Sequence, residues 1–359
     1  MSSAPPDPIP ALAGWPRPVL WAALLVASVL LAALLELAHV PAALMIGPML
    51  AAVVAGALGV RLELWPAVST ASFTIIGVMI AAAIEPALFS SLIASWPVVI
   101  GATLATLAAS AALGWLIAKL GILPGTTAIW GSAPGAASAM VLMADAFGAD
   151  ARLVAFMQYV RVIMVSVGAA LIARWFIGEP PQAVATVWFP PIEAIPFATT
   201  LGVAAGGLAL GRLLRLPSPH FLGPMLLGVA VHAGAGVSFQ LPQWLMAAAF
   251  LILGWSIGLR FDRKTLIYSL KSLPHIMAGV VALMVFCGAI AWLLSTAMGV
   301  DPLTAYLATS PGGMDTVAVV AAAADGVDVA FVMTMQMMRF IIVLLFGPAA
   351  ARWLAGKVE

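Results

Sequence analysis

A short passage of proline, glycine and hydroxyl residues interrupts the apolar sequence of this chain twice, about 177 positions apart. The first passage is Ser132-Ala-Pro-Gly-Ala-Ala-Ser138, and the second is Ser310-Pro-Gly-Gly-Met-Asp315-Thr316. A proline followed by glycine ends one stretch of helix and lets another begin. Inside a bilayer, such a break is tolerated only where protein or a water-filled cavity satisfies the freed backbone groups. Both breaks must therefore be enclosed by the fold.

Composition identifies the apolar surroundings of the breaks as membrane segments. Hydrophobic residues make up 64% of the 359 residues and charged residues only 8%, whereas a soluble domain carries about 25% charged residues. The net charge of +1 provides no basic surface for nucleic acid, so no nucleic-acid partner is expected. The single cysteine and four scattered histidines form no disulfide framework or metal-binding motif, so no cofactor is expected beyond a coupling ion.

Ten apolar stretches have about the 20 residues that a helix needs to cross a bilayer. They form two groups of five, and a broken element lies between the fourth and fifth stretch of each group, at 124–147 and 302–325. The predicted spans are 18–38, 42–60, 66–84, 92–118 and 152–176, followed by 194–214, 219–238, 243–259, 273–298 and 329–354. The sequence thus predicts an all-α polytopic membrane protein.

Further matches indicate that the two groups are copies of one unit. Gly47-Pro48-Met49-Leu50 corresponds to Gly223-Pro224-Met225-Leu226, Gly77 corresponds to Gly254, and Arg174-Trp175 corresponds to Arg352-Trp353, at offsets of 176, 177 and 178. Four matches in the same order at a nearly constant offset favour an internal duplication. The predicted organisation is an N-terminal tail (1–17), a first membrane repeat (18–177), a linker (178–193) and a second membrane repeat (194–359).

Positive charge favours five crossings in each repeat, with opposite orientations, because cytoplasmic loops carry an excess of Lys and Arg. If the broken elements are re-entrant and the N-terminus is cytoplasmic, twelve of the 15 basic residues lie inside, Arg174 lies outside, and Arg161 and Arg339 lie in the membrane. The twelve are Arg17, Arg61, Lys119, Arg152, Arg212, Arg215, Arg260, Arg263, Lys264, Lys271, Arg352 and Lys357. If the broken elements instead cross the membrane fully, the 13 basic residues outside the membrane divide six and seven between its two sides, with no bias. Inverted repeats, which suit alternating access, are therefore predicted.

The two breaks are the predicted binding site for a small solute or ion. N–H groups that begin the second half-helix favour an anion, and carbonyl groups that end the first suit a cation such as sodium. The alternative is a kinked structural helix without a ligand. The candidate residues at the breaks are Ser132, Pro134, Gly135, Ser138, Ser310, Pro311, Gly312, Gly313, Asp315 and Thr316.

Asp315 is the predicted coupling residue. It stands where the first repeat has Ser138, and a carboxylate at membrane depth is costly enough to indicate function. It is a candidate sodium ligand or proton carrier, with helix capping as the alternative. Asp145 is a second candidate, on a face similar to that of Ser138. Asp150 and Asp328 each precede a predicted helix, and capping explains them.

A glutamine and an arginine follow each break on one helix face. Gln158 and Arg161 recur as Gln336 and Arg339, at an offset of 178, and a spacing of three places each pair side by side. Two roles are open for the arginines. They could bind an anionic substrate, or they could hold the break together through its free carbonyl groups. All four residues belong to the predicted substrate or ion site.

In these Pro-Gly and Gln-x-x-Arg motifs the sequence resembles the AbrB-duplication family of bacterial membrane proteins, whose members carry the labels ammonia monooxygenase and AbrB regulator. The resemblance covers both halves of the chain. That family in turn resembles cation–proton antiporters, bile acid symporters and glutamate–sodium symporters. The resemblance implies a core domain of broken elements and their following helices. This core would slide against a scaffold of first helices, in a homodimer in the bacterial inner membrane.

Neither family label finds support in the residues, because the sequence lacks an oxygenase metal set and a soluble DNA-binding domain. It also lacks the paired Asp-Asp or Asn-Asp of such antiporters, which argues against simple sodium–proton exchange. The expected function is secondary active transport of a small solute, with an organic anion as one option. Coupling to sodium or protons, elevator-like alternating access and no enzymatic activity are expected. The alternatives are a membrane-embedded enzyme and a passive channel.

Overall fold

The computed structural model describes residues 15–38, 40, 42–83, 88–135, 137–177, 187–216, 218–312, 317, 321 and 327–355. The regular structure of these residues is helical, in 13 helices, so the all-α prediction is confirmed. The first seven are α1 (Arg17–Leu37), α2 (Ala43–Ala57), α3 (Pro66–Ala82), α4 (Leu88–Lys119), α5 (Gly125–Ser132), α6 (Ala137–Ala146) and α7 (Ala151–Ile177). The others are α8 (Ala194–Leu213), α9 (Pro219–Ala235), α10 (Gln243–Gly258), α11 (Arg263–Met298), α12 (Pro302–Thr309) and α13 (Val329–Ala355).

Five of the described helices contain segments long and apolar enough to cross a membrane. These segments are Arg17–Leu37, Pro97–Lys119, Ala194–Leu213, Arg263–Met298 and Val329–Gly347. Large apolar side chains on them, among them Leu30, Trp292 and Phe346, are more than 60% exposed. A surface of this kind is stable against lipid rather than water. The chain is a multi-pass membrane protein.

The chain divides into two compact units that cut across the predicted repeats. One unit comprises residues 1–73 and 245–271, and the other comprises residues 74–244 and 272–359. Each unit therefore contains helices from both halves of the sequence.

In the smaller unit, α1, α2 and α10 pack through small residues. A methyl group on Gly47 of α2 would collide with the backbone of Ala32 in α1. A methyl group on Gly254 of α10 would lie 2.9 Å from the carbonyl oxygen of Met45. The indole Nε1–H of Trp255 donates a hydrogen bond to the buried hydroxyl of Ser28 at 2.9 Å. Glycine is required at these contacts because the backbones approach so closely.

In the larger unit, α8, α9 and the end of α3 pack in the same way. A methyl group on Gly223 of α9 would collide with the backbone of Gly207 in α8. A methyl group on Gly77 of α3 would lie 2.6 Å from the carbonyl oxygen of Phe221. Each Gly-Pro-Met-Leu motif therefore contacts one helix from its own half of the sequence and one helix from the other half.

Also in the larger unit, α4 and α11 run antiparallel around the two shortest helices. Ile117, near the end of α4, shares a buried cluster with Ile276, near the start of α11, and with α5. Val99, in the first half of α4, shares a second cluster with Leu294, near the end of α11, and with α12. Each of these two long helices is the fourth helix of its half of the sequence, and the two pack antiparallel.

The first and last residues of each broken element lie close together. The backbone N–H of Asp150, which follows α6, donates to the hydroxyl of Thr127 in α5 at 3.1 Å. In the second element, the N–H of Asp328 donates to the hydroxyl of Thr304 in α12, also at 3.1 Å. With 8 and 10 residues, α5 and α6 rise about 12 and 15 Å. The entry and exit of each element therefore lie side by side.

Candidate functional site

Each break begins at the residue that precedes its proline. Ala133 has φ −59° and ψ 124°, and Ser310 has φ −55° and ψ 138°. Proline disfavours helical geometry in the residue before it and pushes that residue to extended backbone. The helices α5 and α12 therefore end here, and carbonyl groups near their ends lose helical partners.

A buried glutamine from the following long helix satisfies two of the carbonyl groups at each break. The Gln158 side-chain amide of α7 donates to the carbonyl oxygens of Trp130 at 2.9 Å and Ala133 at 3.0 Å. The Gln336 amide of α13 donates to those of Leu307 at 2.8 Å and Ser310 at 3.2 Å. Both glutamines are almost fully buried. Each long helix is thereby tied to the break that precedes it.

A buried arginine completes the first attachment. Nη1 of Arg161 donates to the carbonyl oxygens of Ala133 at 2.7 Å and Ser132 at 3.4 Å. Nη2 donates to the carbonyl oxygen of Gly135 at 3.3 Å and to the side-chain oxygen of Gln158 at 2.6 Å. The guanidinium thus bridges both sides of Pro134. Its positive charge lies at the carbonyl end of α5, where the helix dipole stabilises it.

The second attachment repeats the first. Nη1 of Arg339 donates to the carbonyl oxygens of Ser310 at 2.7 Å and Thr309 at 3.5 Å. Nη2 donates to the carbonyl oxygen of Gly312 at 3.4 Å and to the side-chain oxygen of Gln336. Of the two roles that the sequence left open for the arginines, the structure shows the hydrogen bonds of the holding role directly, in both halves.

The described hydroxyl groups at the breaks bond mainly to nearby backbone. The Ser132 hydroxyl donates to the carbonyl of Ile129 at 3.1 Å, and the Ser310 hydroxyl donates to that of Leu307 at 3.2 Å. Ser138, at the start of α6, is buried. Pro134, Gly135, Pro311 and Gly312 are buried with these serines. Gly313, Asp315 and Thr316 lie outside the described residues.

The other aspartates near the breaks lie at the protein surface or cap helices. Asp145 follows Ser138 by seven residues in α6, close to two full helical turns, so the two residues share a similar helix face as expected. Ser138 is buried, whereas Asp145, near the end of the helix, is exposed. Asp150 accepts a hydrogen bond from the backbone N–H of Arg152 at 3.0 Å and forms an ion pair with its side chain at 2.7 Å. Burial raises the pKa of Asp150, but the contacts with Arg152 outweigh burial and leave this pKa below its usual value. Asp328 accepts from the N–H of Phe331 at 2.9 Å, so capping is confirmed for both residues.

Sequence reasoning missed several residues that tie the breaks to the long helices. The hydroxyl of Ser110 in α4 donates to the carbonyl of Ser132. In the second half, Thr309 donates to the carbonyl of Cys287 in α11 at 3.2 Å. Ser110 and Cys287 stand 177 positions apart, the offset of the Pro-Gly pairs. The sequence signal that could have identified these positions is the recurrence of a small polar or thiol side chain, Ser110 and Cys287, at the repeat offset.

An apolar cavity of about 290 Å³ lies beside the first break, between α4, α5 and α13. Trp130, Pro134 and Phe346 contribute to its walls, and Ser110 is the polar residue of the lining. No group of three or more His, Cys, Asp or Glu side chains is placed to hold a metal ion within the part of the chain that the structure describes.

The charged side chains that the structure describes inside the breaks are both arginines. Arg161 is 2% exposed and Arg339 is 3% exposed, and the two guanidinium groups lie close enough to interact electrostatically. The sequence predicted that carbonyl groups at the end of the first half-helix could bind a sodium ion. In the structure, carbonyl groups at the breaks accept hydrogen bonds from these arginines and from the glutamines. A cation is therefore disfavoured at these carbonyls.

Fold and site together define a class: a multi-pass helical membrane protein in which two interrupted elements are each held by a Gln–Arg pair. Comparison with known proteins agrees. The family model described as "Transition state regulatory protein AbrB" matches residues 44–355. The chain belongs to the AbrB family, as the motifs predict.

Two bacterial relatives differ in how much of the chain they cover. The chain is 44% identical over 341 residues to "Putative regulator AbrB" of Escherichia coli (strain K12), covering 94% of this chain and 97% of that protein. It is 25% identical over 247 residues to "Uncharacterized protein YhjN" of Bacillus subtilis (strain 168), covering 64% and 63% of the two chains.

Proposed function

We propose that this protein is a secondary active transporter of a small solute and that the two held breaks form its binding site. One observation carries the proposal. Two interrupted elements, one from each half of the sequence, lie in the same unit, and a buried Gln–Arg pair fixes each of them. Irregular backbone in a membrane protein is maintained where it lines a site for substrate or coupling ions.

The packing of the breaks supports a shared site. The short helices α5 and α12 each contact both long helices, α7 and α13. A break from one half is therefore held by helices of both halves. In transporters built from inverted repeats, substrate sites lie at the interface between the repeats.

Alternating access is supported by the antiparallel packing of α4 and α11. Equivalent helices with opposite directions give a protein two nearly equivalent conformations, one open to each side of the membrane. The broken elements with α7 and α13 would be the moving core. The first helices of each half would form the scaffold, and a homodimer would hold that scaffold in place.

Coupling is assigned to Asp315 by its position in the sequence, directly after the second break. A carboxylate there would bind sodium or carry a proton, because a charged group at membrane depth is costly enough to indicate function. The carbonyl groups of the breaks contribute little to a cation site, because Gln158, Gln336 and the arginines already engage them.

The first experiment identifies a ligand and then measures its transport. Purified protein is screened by thermal shift with small organic acids and amines, with and without sodium, because a ligand that binds the folded state stabilises it. Uptake of each stabilising compound is then measured in proteoliposomes under a sodium gradient and under a proton gradient. We expect saturable uptake that depends on one gradient. Single-channel currents in a planar bilayer would indicate a passive pore instead.

Asp315→Asn tests the coupling residue. We expect gradient-driven uptake to fall at least tenfold while the melting temperature stays near that of the parent. Asp328→Asn is the matched control, because Asp328 is an exposed helix cap that asparagine can replace. If Asp315→Asn takes up the solute as fast as the parent under both gradients, Asp315 is not the coupling residue.

A further inference from the structure

The two buried arginines do not use all of their hydrogen-bond donors. A guanidinium carries five N–H groups. In Arg161 and Arg339, the two Nη atoms each donate to two acceptors, which accounts for four groups. The fifth, Nε–H, is buried in both residues and has no partner among the described residues. A buried donor without a partner destabilises the fold, and this site contains two.

The charges of the arginines are also unmatched in the described part of the chain. The ion pair of Arg152 with Asp150 involves neither of these two arginines. The Cys287 side chain lies within electrostatic range of both arginines, but a thiol buried in an apolar interior is uncharged and supplies no counter-charge. The carbonyl ends of α5 and α12 offset part of each positive charge. Two buried cations nevertheless remain, at 2% and 3% exposure.

We propose that a small monovalent anion binds between Arg161 and Arg339 and accepts a hydrogen bond from each Nε–H. This inference deepens the proposed function and rests on it: the anion is the transported solute or an obligatory co-ion. One donor from each arginine suits a single oxygen of a small carboxylate, or a halide. It does not suit bidentate binding, because the Nη groups that would provide the second donor hold the breaks.

The test uses the wild-type protein in detergent, in sodium gluconate of fixed ionic strength. Gluconate is replaced stepwise by chloride, formate, acetate or lactate, and the melting temperature is recorded. We expect at least one small anion to raise it saturably, by about 3 °C or more, and we expect the same rise when choline replaces sodium. If none of the four anions raises the melting temperature above its value in gluconate, the proposal is overturned. The halide and carboxylate arms identify which kind of anion is bound.

Two variants place the anion at the arginines. Arg161→Lys and Arg339→Lys keep the charge but lose Nε–H and the planar fork, so we expect the half-saturating anion concentration to rise at least tenfold. Arg152→Lys, at the surface ion pair, is the control and should match the wild type. An unchanged half-saturating concentration in both core variants would overturn the assignment. If these variants fail to fold, the wild-type salt series decides alone.

Asp315→Asn separates an external anion from a resident carboxylate. Anion stabilisation seen in this variant but absent from the wild type would mean that Asp315 fills the site, and the proposal would be overturned. Transport is judged independently. Saturable anion binding without uptake in proteoliposomes would support the anion site and contradict the proposal that the protein is a transporter. Solute uptake that does not change when the anion is replaced would support the transporter proposal and contradict the role of the anion in transport.

Discussion

At the scale of single residues, the Gln–Arg pairs solve a problem that the breaks create. A carbonyl group left unpaired in an apolar interior costs about 1–3 kcal/mol. Gln158 and Arg161 engage the carbonyls of four residues at the first break, and Gln336 and Arg339 do the same at the second. The backbone can therefore remain irregular in a membrane, and the break can keep one geometry while a ligand binds.

Arg339→Ala should destabilise the protein as well as impair its transport. The substitution removes hydrogen bonds to Ser310, Gly312 and Gln336 and leaves their oxygens buried, at a cost of about 3 kcal/mol or more. Thermal unfolding in detergent measures this cost. Arg263→Ala, at the exposed start of α11, is the control and should melt with the parent. Equal thermostability of Arg339→Ala and the parent would contradict the holding role.

At the scale of elements, hydropathy predicted the helices well and their ends less well. All ten predicted spans coincide with helices, because each span is bounded by proline, glycine or charged residues. The longest helix, α11, begins at Arg263, ten residues before the predicted span at 273. Hydropathy marks where a chain enters a bilayer, whereas the helix begins at its cap. Here the Asp262 side chain accepts from the N–H of Thr265 at 2.7 Å.

The partners of each element could not be predicted from the sequence. The duplicated glycines at 77 and 254 are visible as matches, but contact with the Gly-Pro-Met-Leu helix of the other half depends on tertiary packing. The role of each arginine likewise depended on where its side chain runs, since its acceptors lie 26 to 30 residues earlier, across a loop. The broken elements themselves were predictable, because proline imposes them locally.

Gly77→Ala and Gly254→Ala should each lower stability by about 1–3 kcal/mol, because the added methyl groups would meet backbone atoms. These methyl groups would lie 2.6 Å from the Phe221 carbonyl oxygen and 2.9 Å from the Met45 carbonyl oxygen. Gly288→Ala is the matched control, since its methyl group would meet nothing within 4 Å. Alanine favours helix over glycine by up to about 1 kcal/mol, so this variant should be neutral or slightly stabilised. Equal melting temperatures for all three variants would contradict the packing.

At the scale of the whole molecule, the proposed inverted repeats require broken elements that enter and leave the membrane on the same side. The hydrogen bonds from Asp150 to Thr127 and from Asp328 to Thr304 bring the ends of each element together. In the proposed topology each half then has five crossings, and the basic residues are expected on the cytoplasmic side. Full crossing by either element would remove that bias.

Cysteine labelling tests this topology at the first element. Leu120→Cys and Ala146→Cys, at exposed positions before α5 and at the end of α6, are made singly with Cys287→Ser. Both should react with a membrane-impermeant maleimide in inverted vesicles and resist it in intact cells, since both should be cytoplasmic. Reaction of the two positions from opposite sides would show that the element crosses the membrane, and the inverted arrangement would be lost.

Counterflow in proteoliposomes tests the central claim, that the two held breaks form the site of a carrier, most directly. Vesicles are loaded with an unlabelled compound that stabilises the protein, and a trace of the labelled compound is added outside. A carrier exposes its site alternately to each side, so we predict a transient accumulation of label above its equilibrium level. Arg161→Lys or Arg339→Lys should reduce this accumulation. Label that only equilibrates, without an overshoot, or that does not enter at all, would contradict the account.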